Sequence, residues 1–260
     1  MKLSGNTVLI TGGGSGIGLA MAEYFLSSGN DVIICGRRES KLLEVKSRYH
    51  QVNIRKCDLS NVYERATLVS WVTNSFKNLN VLVNNAGIQK DVDLTKGLEG
   101  LVGEDEIRIN LESPIHLSAM LIPYLMKQPE SAIINISSGL AITPMASFPI
   151  YCATKAAIHS FSQSLRYQLA RTTVKVFEIL PPALDTELNK EGRLKRAKMG
   201  FELTAPKPDE YVKEVMKQIE MDKFEISNPN IERLKTLTLA DLEKRIDEMN
   251  SKFRDMLPHL

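Results

Sequence analysis

Three cysteines in 260 residues, Cys35, Cys57 and Cys152, are too few and too irregularly spaced for a disulfide framework or a paired metal-ligand set, which fits a reducing compartment. Histidine is as scarce: His50, His116, His159 and His259 show no ligand spacing, so no metal is expected. No apolar stretch approaches the ~18 residues of a spanning helix. The opening Met1 to Asn6 runs straight into an apolar segment and leaves no room for a signal peptide, so the expectation is a cytoplasmic protein without membrane contact. Neither sign of charge dominates, with 33 Lys plus Arg against 31 Asp plus Glu, and nucleic acid gains no electrostatic support. Repeats, low-complexity tracts and linkers are missing too.

What is present is an alternation of strand and helix patterns. Strands are expected near 7–11, 31–35, 52–57, 80–84, 131–137 and 173–180, with a short seventh near 223–227; helices near 16–28, 39–48, 61–76, 105–127, 151–171 and 209–221. Runs such as Val32-Ile33-Ile34 and Ala132-Ile133-Ile134 are apolar throughout, as in strands covered on both faces. The fold class is therefore α/β: one Rossmann-type, doubly wound parallel sheet of about seven strands, flanked by helices. Residues 1–230 would form the dinucleotide-binding and catalytic domain. Residues 231–260, with Leu239, Leu242, Ile246, Met249 and Phe253 on one stripe, would add an amphipathic helical extension, packed on its own domain or against a second subunit.

Two features carry chemistry. Thr7 to Thr11 leads into Gly12-Gly13-Gly14-Ser15-Gly16-Ile17-Gly18 and then a helical pattern, the context in which glycines remove Cβ atoms from the path of a pyrophosphate and a helix N-terminus offers N–H groups. Farther on, Tyr151 and Lys155 stand one helical turn apart, with Ser138 upstream. A free phenol titrates near pH ~10, and a neighbouring ammonium can bring it closer to a working pH, where it serves as proton donor and acceptor. Alone, the Tyr-x-x-x-Lys spacing is weak.

Together these elements resemble the short-chain dehydrogenase/reductase family of classical type. The glycine run has that family's Thr-Gly-x-x-x-Gly-x-Gly form, and Asp58-Leu59, Asn84-Asn85-Ala86-Gly87, Asn110 and the Ser138, Tyr151, Lys155 set follow in order. The wording around Ser138, Tyr151 and Pro181 is similar to a DltE-type bacterial subgroup. The resemblance implies a catalytic tetrad of Asn110, Ser138, Tyr151 and Lys155, with Ser138 preferred over Ser137 because it lies thirteen residues before the tyrosine. It implies cofactor contacts from Gly12, Ser15, Gly16, Ile17, Gly18, Asp58, Leu59, Asn85, Ala86, Gly87, Tyr151, Lys155, Pro181 and Thr186. Asp58 would sit beside the adenine amine, although an Asp there also suits a helix cap. Asn110, a poor helix former among Ile107, Ile109 and Leu111, would open its helix locally and hold a water that links Lys155 to solvent. Pro182 stands where the family usually has glycine, which stiffens that loop and removes a donor. A homodimer or homotetramer is expected from resemblance only.

Arg37 and Arg38 follow the second strand, where an acidic residue would bind a ribose hydroxyl and a guanidinium would instead bind a phosphate. The expected cofactor is NADP, with NAD possible. The expected function is hydride transfer between nicotinamide and a carbonyl or alcohol substrate; alternatives are an NAD-preferring alcohol dehydrogenase and a non-catalytic NADP-sensing protein. The substrate is not encoded in any motif, though Ile142, Pro144, Met145 and Phe148 suggest an apolar wall. Lys190, Arg193, Lys195, Arg196 and Lys198 would make a basic cover, more in keeping with a solvated helix face than with an anion site.

Overall fold

The computed structural model describes residues 1–100, 105–188, 190–192, 194 and 205–256. Seven strands form one sheet in the order β3-β2-β1-β4-β5-β6-β7. They are β1 (Thr7–Thr11), β2 (Asp31–Gly36), β3 (Asn53–Lys56), β4 (Leu79–Asn84), β5 (Ser131–Ile136), β6 (Val174–Leu180) and β7 (Glu225–Ser227). Every pairing is parallel, so each connection crosses over through a helix. The expected strands are found, with ends shifted by a residue or two.

Strand periodicity divides the core into two layers. Val8, Ile10, Val32, Ile34, Val81 and Val83 face α1 (Gly16–Ser27), α2 (Glu39–Arg48) and α7 (Pro208–Glu220), where Met21, Phe25, Leu42, Val215 and Met216 meet them. Leu9, Ile33, Leu82 and Ile133 face the other way, onto Leu68 and Val72 of α3 (Val62–Ser75), Leu117 and Leu121 of α5 (Ser113–Leu125) and Leu165 of α6 (Pro149–Gln168). Each such side chain contributes about 1.5–3 kcal/mol on burial. Because both faces are covered, the sheet leaves only its strand ends for a ligand.

The helix expected over 105–127 is interrupted. It comprises α4 (Asp105–Ile107), a π turn over Arg108–Glu112 and α5, so the opening expected at Asn110 is present. The C-terminal segment is two helices, α8 (Pro229–Lys235) and α9 (Leu239–Met256), rather than one. In α9, Leu242, Ile246 and Met249 are half-buried. Asn250 ties that helix to the loop after β5, donating to the Pro144 carbonyl at 3.0 Å and accepting from the Ala146 N–H at 2.6 Å.

Candidate active site

Strand order reverses between β1 and β4, and the chain leaves their carboxyl ends in opposite directions, which opens a crevice there. The glycine turn lines one side. Gly12 has φ +66°, and a Cβ on it would stand 2.9 Å from the Ala86 Cα; one on Gly18 would stand 2.4 Å from the Gly12 carbonyl oxygen. Asn61 and Asn228 cap α3 and α8 through their side chains, whereas Ser15 forms no such cap on α1. The first N–H groups of α1 are thus left for an anion, and the turn fits a dinucleotide pyrophosphate.

Thr11, read in the sequence only as the start of the glycine motif, knits this turn to the loop after β4. Its hydroxyl accepts from the Asn85 and Ala86 N–H groups at 2.9 and 3.0 Å. The Asn85 amide donates back to the Thr11 carbonyl at 2.8 Å. Asn85 therefore shapes the crevice wall with its side chain. Asn84 turns away into the core, donating to Asn135 at 2.9 Å and Ser118 at 3.2 Å.

Asn110, Ser138, Tyr151 and Lys155 are brought together and are all buried, at 1 %, 8 %, 6 % and 4 % exposure. The Ser138 hydroxyl acts on the Tyr151 phenol, favouring its ionised form. The Ser138 hydroxyl also accepts from the Leu140 N–H at 3.1 Å. Lys155 Nζ donates to the Ile136 carbonyl at 2.8 Å and lies 5.5 Å from the Tyr151 ring centroid. A Cβ on Gly87 would stand 3.4 Å from Asn110 Oδ1 and 3.7 Å from Lys155 Nζ, so both groups converge on that glycine. The side-chain amide of Asn110 is committed to Ile88, donating to its carbonyl at 2.8 Å and accepting from its N–H at 2.9 Å. It holds the loop after β4 against α6.

One electrostatic expectation is corrected. Burial raises the Tyr151 phenol above its ordinary range, opposed by the Ser138 hydroxyl, and the ammonium does not offset that. Lys155 is itself pushed down to about 8 by burial, with Glu106 and Glu178 opposing.

The remaining positions fall into groups. Arg38 reaches the glycine turn, donating to Ser15 Oγ at 2.8 Å, and pairs with Glu187 at 2.6 Å; Lys41 meets the same carboxylate at 3.4 Å. Arg37 is exposed beside it. Asp58 accepts from the Ser60 N–H and hydroxyl at 3.0 and 2.8 Å, while the helix cap weighed for it belongs to Asn61. Leu59 and Ile17 turn their side chains into the core, which leaves only their backbones for a ligand. Pro181 is buried and accepts from the Gly139 N–H at 3.1 Å; Thr186 approaches Gly16.

Around Tyr151, Leu140, Met145, Phe148, Cys152 and Leu188 form an apolar cluster. Pro144, expected in that wall, is exposed and bound by Asn250. Lys190 is exposed, and Arg193, Lys195, Arg196 and Lys198 lie outside the described residues. The sequence reading missed Glu178, fully buried on β6, which accepts from Ser137 Oγ at 2.5 Å and bonds His159 Nδ1 at 2.9 Å. His159, Glu178 and Glu225 bring their ligand atoms within 4.8 Å of one another, but Lys235 pairs with Glu225 and balances its charge.

The family model for short chain dehydrogenases matches residues 6–197. The uncharacterized oxidoreductase DltE of Bacillus subtilis is 47 % identical over 253 residues, covering 97 % of this chain and 99 % of that protein. Among solved structures, a short chain dehydrogenase of Burkholderia cenocepacia in complex with NADP superimposes with a TM-score of 0.80 at 23 % identity, covering 96 % of this chain and 99 % of the other. One from Burkholderia phymatum in complex with NAD gives a TM-score of 0.80 at 21 % identity, covering 94 % and 96 %.

Proposed function

The chain belongs to the short chain dehydrogenase family, and from that premise we propose that it is an NADP-dependent oxidoreductase acting on a carbonyl or alcohol, with Tyr151 as general acid and base. The observation that carries this reading is the meeting of four buried side chains, Asn110, Ser138, Tyr151 and Lys155, beside a glycine turn that excludes Cβ atoms. Gly12, Gly16, Gly18 and the α1 N-terminus would hold the pyrophosphate. Asp58 and the backbone of Asn85 to Gly87 would lie along the nucleoside, and Thr186 near the carboxamide. The nicotinamide supplies the hydride when bound.

The rest of the chemistry falls to the chain. Ser138 orients the substrate oxygen, and Tyr151 gives it a proton in reduction or takes one in oxidation. A phenol held neutral by burial suits the donor role. Lys155 recharges the phenol, and Asn110 fixes the loop after β4 beside them.

Arg38 and Lys41 support NADP, because both already hold a carboxylate at the groove mouth and a 2′-phosphate would satisfy the same cations. The apolar cluster around Tyr151 favours a hydrophobic carbonyl compound. The experiment is a panel of ketones, aldehydes and alcohols followed by NADPH absorbance, with Tyr151→Phe and Arg38→Asp variants. Tyr151→Phe should lower turnover by about 10²–10⁴-fold, with cofactor affinity within a few-fold. Arg38→Asp should shift preference toward NADH. Near-native turnover in Tyr151→Phe would remove that residue as the acid, and unchanged selectivity in Arg38→Asp would remove the argument for NADP.

A further inference from the structure

Glu106 is a buried carboxyl that the proposed reaction does not use. It lies in α4, directly before the π turn that carries Asn110, and is 2 % exposed. One oxygen, Oε1, is buried without a hydrogen-bond partner. The Lys90 backbone N–H bonds to the carboxyl. An unsatisfied buried polar atom is destabilising, and an apolar side chain at this place would avoid that cost.

The charges around it are few. From α6, Lys155, Tyr151 and Cys152 all feel Glu106; from the loop after β4, Lys90 does. Asp105 and Arg108, its neighbours in sequence, pair with each other at 3.8 Å on the surface. Burial pushes the Glu106 carboxyl up to about 7, with Lys90 and Lys155 opposing. Of the groups that favour the ammonium form of Lys155, Glu106 has the larger influence, ahead of Glu178.

We propose that Glu106 is a positioning residue that sets the charge on Lys155, and through it couples the Tyr151–Lys155 pair to pH; this rests on the roles given to those two residues above. Ionised, Glu106 holds the ammonium charged and able to recharge the phenol. Protonated, it withdraws that support. Replacing it by a neutral isostere leaves Lys155 easier to deprotonate, so reduction should fail at lower pH than in the wild type.

The test follows Lys155 itself, by NMR of the protein with ¹³C-labelled lysine, the signal assigned by its loss in Lys155→Met. In Glu106→Gln the Lys155 midpoint should fall by about one pH unit, the scale of a nearby charge. Glu106→Asp, which keeps the charge, should restore most of it. The alkaline limb of the reduction pH profile should move with the midpoint, while rates converge below the Glu106 titration, an effect mere packing damage would not produce. An unchanged midpoint in Glu106→Gln would overturn the proposal, as would a midpoint that falls equally in Glu106→Asp. A shifted midpoint with no turnover on any carbonyl would leave the coupling standing and bring down the oxidoreductase reading instead.

Discussion

At Lys155, burial and function oppose each other. The residue is 4 % exposed, its ammonium is bonded to one carbonyl, and its pKa falls from 10.5 to about 8. A base depressed in the folded state binds fewer protons than in the unfolded chain between those values, so this group makes stability rise with pH across that window. Its destabilising effect is full below about 8 and gone above 10.5. Lys155→Met should therefore gain melting temperature relative to wild type near pH 7, and the gain should shrink as pH approaches 10.5; a pH-independent difference would mean the ammonium is not strained. Residue identity made Tyr151, Lys155 and Ser138 legible from sequence. The sign of the phenol's shift was not, because it depends on how many apolar neighbours, such as Phe148 and Met145, close over the ring. Glu178 and Glu106 escaped for the same reason: a carboxylate in a sequence reads as surface until packing shows otherwise.

At the scale of elements, the glycine turn depends on close backbone approach. A methyl at Gly18 would sit 2.4 Å from both the Gly12 carbonyl oxygen and Asn85 Nδ2, and neither can retreat, since Asn85 also bonds Thr11. Gly18→Ala should cost about 1–3 kcal/mol of stability and reduce cofactor affinity more than substrate affinity, measured by thermal melts and by titration with NADPH. Equal effects on both ligands would place the damage elsewhere. Strands were legible because β-branched apolar runs such as Val32-Ile33-Ile34 admit few other readings. The π turn was signalled only by Asn110, an amide among Ile109 and Leu111. The break between α8 and α9 is marked by Thr236 to Thr238, too weak a signal to divide an amphipathic stripe.

Across the whole molecule, the core is shared between one seven-stranded parallel sheet and the helices on its two faces, and among the described residues α9 contributes none of it. That helix instead touches the loop after β5 through Asn250, and this loop carries part of the apolar cluster at Tyr151. Ending the chain after Lys235 should preserve far-UV circular dichroism apart from the lost helix, yet raise KM more than it lowers kcat. Loss of the cooperative melt would show that the extension is needed for folding rather than for the pocket. Topology followed from the alternation of patterns and the right-handed crossover rule, whereas the contact between residues 250 and 144 joins positions that no periodicity relates.

The bridge from Glu187 to Arg38 and Lys41 means that a phosphorylated nucleotide arriving at the groove would swap one anion for another, and the tally of neutralised cations would not change. Binding by such a swap releases few counterions. NADPH affinity should then depend only weakly on ionic strength in the native chain and more steeply in Glu187→Gln, where Arg38 meets the nucleotide without its carboxylate and Lys41 keeps only Glu44.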